Sequence, residues 1–168
     1  MALISEDGAA KANAESFASV AFADTYHSVR MNTAWAALTT PAKEAALRKA
    51  TDYMGQEYAR RWLGHRATAT QALEWPRQWV PLPSDPFGNY YASTVIPAPV
   101  ANACAELALR ASTGALTADT GQEIKREKTG QIETEYQDHS RAGTRYPAID
   151  RLLAPLLGSS SGVKLAKA

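Results

Sequence analysis

The sequence predicts a mainly α-helical protein: a small helical bundle with one protruding β-hairpin and extended N- and C-terminal arms. Three observations predict it. Apolar residues recur at helical spacing in four segments, 20–29, 41–63, 97–111 and 146–156. One stretch, at about 123–137, alternates with period two around a turn. The two ends, 1–16 and 158–168, show no helical period. Residues 1–157 read as one domain and 158–168 as a flexible C-terminal tail.

The first sixteen residues are rich in Ala, Gly and acids and read as an extended arm. Ser19 is placed to cap a helix from Val20 to about Val29, with Phe22, Tyr26 and Val29 on one stripe. Thr33 can cap a short turn that carries Trp35 and Leu38. Thr40-Pro41 starts the strongest helix, because proline is tolerated in a first turn that has no hydrogen bond to lose. Leu47, Ala50, Met54, Tyr58 and Trp62 follow at near-helical spacing, and Gly64 is a natural stop.

From Gln71 to Ala98 the chain is irregular and Pro-rich. The step Trp75-Pro76-Arg77 reads as a structural elbow bordering a subunit interface. Proline keeps Trp75 out of the helical region, the indole needs burial or a partner, and Arg77 offers a rigid fork of donors. Phe87-Gly88-Asn89-Tyr90-Tyr91 reads as a loop tip with exposed aromatics, and a loop this long in a compact domain is usually functional. Pro97 and Pro99 open the next helix, which buries Val100, Cys104, Leu107 and Ala111 and reaches Gly114 as its C′ residue.

Ile124 to Lys128 and Gln131 to Tyr136 alternate around Thr129-Gly130, a hairpin signal weakened by the reluctance of Thr to take positive φ. Tyr146-Pro147 opens a last helix with Ile149, Leu152, Leu153 and Leu156 inward. In the tail, Val163 and Leu165 alternate with basic and small residues, a pattern suited to strand addition or to an apolar groove.

Composition narrows the function. Lys+Arg 18 against Asp+Glu 17 leaves a formal charge of +1, so no global basic footprint for nucleic acid exists. The first 24 residues carry Lys11 against Glu6, Asp7, Glu15 and Asp24, whereas 41–66 has an excess of bases, a dipolar pattern that is common on solvated helices and also suits head-to-tail packing. Cys104 is the single cysteine, so no intrachain disulfide can form. His27, His65 and His139 lie far apart without a second ligand nearby, and no phosphate loop or nucleophile elbow is present. The expectation is no enzyme, no cofactor, no catalytic or metal-binding residue, and no membrane partner. A nucleic-acid reading of Tyr58, Arg60, Arg61, Trp62, Arg66, Trp75, Arg77 and Trp79 competes with core packing, because Tyr58 and Trp62 fall on the apolar stripe.

The opening MALISEDGAAKANAESFASVAFADTYH resembles that of a family of tailed-phage and prophage proteins. So do NTAWAALTTPAKEAALRKATDYM, QALEWPR, AELALRA, IKREKTGQIETEY and RYPAIDRLLAPLL, over nearly the whole chain. The family goes under two descriptions: head–tail connector, adaptor or head-completion proteins, and DnaT-like single-stranded DNA-binding proteins. Phe17 in place of Tyr, Glu74 in place of Ala, and a long 80–96 loop are departures from the pattern.

The adaptor description implies a ring of copies of the chain, normally twelve, docked beneath a portal protein in the virion neck after synthesis in the bacterial cytoplasm. It implies a downstream neck or tail-completion protein as a further partner. It also implies weak nonspecific contact with passing double-stranded DNA, for which Lys125, Arg126 and Lys128 on the hairpin are the candidates. The tail around Val163 and Leu165, or the face around Arg60 and Arg61, would meet the portal. The alternative is a single-stranded DNA-binding protein, with a tail-terminator-like role behind it.

Overall fold

A computed structural model describes residues 2–117 and 146–158, together with the backbone pairing of 126–129 with 132–135. The elements in chain order are α1 (Val20–Ser28), α2 (Thr33–Ala36), α3 (Thr40–Tyr58), β1 (His65–Arg66), β2 (Arg77–Gln78), α4 (Ala98–Ala111), β3 (Arg126–Thr129), β4 (Ile132–Glu135) and α5 (Pro147–Leu153). A single 3-10 turn, Ala154–Leu156, extends α5. The fold is small and mainly helical with an antiparallel hairpin, β3–β4, as the periodicities predict.

Helices α3 and α4 form the centre, and α1 and α5 pack on them. Leu47, Ala50, Met54 and Tyr58 on α3 are fully buried, as are Val100, Cys104 and Leu107 on α4. Small residues (Ala46, Ala50, Ala103, Ala105, Ala108) allow the helices to approach closely, and Leu153 and Leu156 close one end. α3 stops at Tyr58, short of Leu63; Trp62 is buried from the following turn instead.

Several details differ from the sequence reading. On α1, Ser19 does cap the helix by accepting from the Phe22 N–H at 3.1 Å. The buried face, however, is Ala23 and His27; Phe22 is partly exposed and Val29 largely so. Alanine and histidine give little hydropathy signal, so the larger side chains misdirected the stripe. α4 is closed at Ser112, which leaves Gly114 beyond the C′ position. In the hairpin, Thr129 pairs with Ile132, so Thr129 lies in the first strand and not in the turn expected at Thr129-Gly130. That placement keeps a β-branched residue in a strand and out of a turn that asks for positive φ.

The N-terminal arm is not a free extension. The Glu6 carboxylate is buried and accepts the Gly8, Ala10 and Lys11 N–H groups at 2.8–2.9 Å, which folds the arm on itself. Gly8 has φ +103°, and a Cβ there would lie 1.9 Å from the Thr94 carbonyl oxygen, so the arm lies against the body at a distance only glycine allows.

Candidate interaction surface

The elbow is built inside the fold. Trp75 is fully buried after a Gln71-centred turn, and its peptide bond to Pro76 is cis. Gln71 Nε2 donates to the Leu73 and Pro76 carbonyls, and its Oε1 accepts from the Thr68 N–H. Arg77 uses its fork on two segments of chain. Nε donates to Leu63 O at 2.8 Å, one terminal nitrogen to Gly64 O at 2.8 Å, and the other to the Glu74 carboxylate at 2.8 Å. Burial pulls the Arg77 pKa down while Glu74 acts in the opposite direction. The antiparallel pairs His65 with Gln78 and Arg66 with Arg77 complete the stitch. Gly64, at φ +66°, lets the strands meet, since a Cβ there would stand 2.1 Å from Gln78 O. The sequence gives little sign of β1 and β2, because two residues are too few to show alternation.

Trp75, Pro76 and Arg77 therefore come together, but all three are buried in this chain. Arg60 is exposed just past α3; Arg61 is half-buried, with its guanidinium 5.5 Å from the Tyr58 ring centre. Tyr58, Trp62 and Trp75 belong to the core, which leaves Trp79 as the exposed ring of the basic–aromatic cluster read from the sequence. The register of the hairpin sets Arg126 opposite Glu135 and Lys128 opposite Glu133. Each of these two cations thus faces an acidic position across the ladder. Lys125, Val163 and Leu165 lie outside the described residues.

A surface that remains open among the described residues is the loop beyond the elbow. Val80 and Tyr91, and Leu82 and Asn89, are joined by backbone hydrogen bonds of 2.9 Å, and Pro81 bridges Tyr90, so the loop is a braced projection. Trp79 is 64% exposed, Tyr90 51% and Phe87 86%. Trp79 and Tyr90 pack edge to face with ring centres 5.5 Å apart. From 78 to 98 the only formal charge is Asp85, whose carboxylate accepts the Asn89 N–H.

Among the described residues no group of three or more His, Cys, Asp or Glu could hold a metal ion, and no helix is long and apolar enough to cross a membrane. Cys104 is buried between the Ser16 and Thr51 hydroxyls, and burial pushes its thiol pKa up, which keeps it protonated and unreactive. The polar groups of the interior serve the fold, and the exposed feature is an apolar projection. An exposed apolar projection of this kind suits the binding of another molecule. The chain belongs to the family described as "Putative DnaT-like ssDNA binding protein", which it matches over residues 1–168. No curated protein and no solved structure matches it.

Proposed function

We propose that the protein is a structural head–tail adaptor of a tailed bacteriophage, a ring beneath the portal that completes the head and receives the tail. The observation that carries this reading is the braced loop with Trp79, Phe87 and Tyr90 in solvent and no cation from 78 to 98. Exposed aromatics with a single charge among them, Asp85, suit a protein interface, where apolar burial supplies the affinity. Single-strand binding instead requires cations along the backbone track between the stacking rings. The formal charge of +1 supports the same reading.

The second reading, single-stranded DNA binding, is favoured by the family's description. One pair of measurements separates the two. The purified protein is added to DNA-filled, portal-bearing heads that lack it, and separately titrated into a fluorescent oligothymidylate at physiological salt. Stable attachment that makes heads competent for tails, with weak and salt-sensitive oligonucleotide binding, is the expected result. Tight oligonucleotide binding with no attachment to heads overturns the adaptor reading.

A further inference from the structure

A second surface lies where α1, α2 and α3 meet. A pocket of about 450 Å³ is lined by Asp24, His27, Met31, Trp35, Ala36 and Lys43, among others. Trp35 and His27 are 1% exposed and form its floor. The Trp35 indole N–H donates to Asp24 at 2.7 Å, and Lys43 pairs with the same carboxylate at 2.8 Å. Met31, 86% exposed, stands at the lip, next to the exposed Val29 and Arg30.

Both surfaces hold non-glycine residues in the left-handed region. The non-glycine residues with positive φ are Ala10, Met31, Trp79 and Ser84 among the described residues. Met31 belongs to the pocket, and Trp79 and Ser84 to the loop. The left-handed region costs an L-residue on the order of 1–2 kcal/mol, and such strain gathers where function holds it.

We propose that the two surfaces are halves of one contact: Phe87 of one copy inserts into the Trp35 pocket of the next copy, head to tail. The inference rests on the self-assembling reading above and names its interface. The shapes match, one surface a braced knob and the other a hole with an aromatic floor. The charges match as well. The loop carries Asp85 alone, whereas Asp24 and Lys43 neutralise each other at the pocket, and the Arg30 charge, held over the Tyr26 ring, still acts on the His27 floor. Pairing loop with loop would bring two Asp85 carboxylates together and leave both knobs without a hole. Because loop and pocket are separate, each added copy presents a free half again, and the series ends only when it closes into a ring.

The test uses two single variants of the full chain, Asn89→Cys beside Phe87 and Met31→Cys at the pocket lip, both at exposed positions and both with the Phe87 ring intact. The buried Cys104 stays silent. The two proteins are mixed at high concentration, and again on portal-bearing heads, then oxidised. The expected result is a mixed disulfide well above the half share that random pairing gives, abolished when Ala36→Trp plugs the pocket. A mixed disulfide at or below the random share in both settings overturns the inference. An excess without attachment to heads keeps the interface and removes the adaptor reading. Attachment without an excess does the reverse.

Discussion

Trp62 and Trp75 meet edge to face in the interior, with ring centres 5.7 Å apart and planes at 88°. They join the turn after α3 to the elbow, and each indole N–H is buried without a hydrogen-bond partner among the described residues. The pair is held by ring contact and burial, not by polar bonds, and that decides what its removal costs.

Trp75→Ala should destabilise the protein by ~3–5 kcal/mol, the range for removing a fully buried large side chain. Trp75→Phe should cost much less, because it keeps most of the ring and deletes a donor that has no acceptor. Urea unfolding of both variants tests this. Equal losses would mean that the indole nitrogen finds a partner and that the orphaned-donor account is wrong.

The α3 stripe was legible because Leu47, Met54 and Tyr58 are large and regularly spaced. The aromatic loop tip was legible because proline marked the segment as irregular. The pocket was not, since its floor joins His27, Trp35 and Lys43 from three helices, and α1 turns its Ala23–His27 face inward. The elbow showed as a local oddity. Its dependence on the Leu63 and Gly64 carbonyls is a long-range pairing that no short window contains.

Phe87→Ser should leave stability within about 0.5 kcal/mol, the usual limit for an exposed site with no packing role. It should nevertheless reduce ring formation on portal-bearing heads. Matching unfolding midpoints, together with a fall in the number of copies bound per head, are the expected readings. Unchanged occupancy would show that the exposed ring serves no interface.

The buried His27 makes stability depend on pH. Burial lowers its pKa below 6.5, although the Ala105 carbonyl and the Glu106 and Asp24 carboxylates pull upward; Arg30 works with burial. Below 6.5 the unfolded chain therefore binds a proton that the folded chain resists. This stability is complete above 6.5 and declines as pH falls, by at most about 1.4 kcal/mol per pH unit. Asp24 and Glu106 have lowered pKa values despite burial, which raises them, because Lys43 and Trp35, and Arg110 and Tyr26, hold the charged forms. Their contribution is present above the ordinary carboxylate range and is lost in more acidic solution. His27→Gln should erase the first decline and keep the second. Persistence of the first decline in that variant would assign it to another group.

Any DNA contact made through the hairpin should be weak, independent of sequence and sensitive to salt. Replacing Arg126 or Lys128 with Gln should flatten the salt dependence by about 0.9 per phosphate contact removed. Lys128→Glu adds a second effect, because it sets two acids directly opposite each other at 128 and 133, at roughly 0.2–1 kcal/mol of hairpin stability. A salt slope unmoved by either Gln variant would place the phosphate contacts elsewhere, with Arg60 and Arg61 next in line.

The last prediction concerns the C-terminal segment. The described chain ends in a firm anchor: Leu156 is fully buried, Leu157 bridges Trp62, and the Gly158 N–H donates to Arg61 O at 2.6 Å. Residues 159–168 follow that anchor, so deleting them removes none of these contacts, and the monomer's unfolding midpoint should stay unchanged. Deletion from Leu156 onward strips the Trp62 pairing and a buried leucine and should destabilise the domain by about 2–5 kcal/mol. If Val163 and Leu165 meet the portal, the shorter deletion alone abolishes attachment to portal-bearing heads. The comparison separates docking from folding, because only one of the two truncations touches the core. Should the 159–168 deletion still complete heads and accept tails, the tail is not the portal contact. The exposed end of α3 around Arg60 and Arg61 then becomes the surface to mutate.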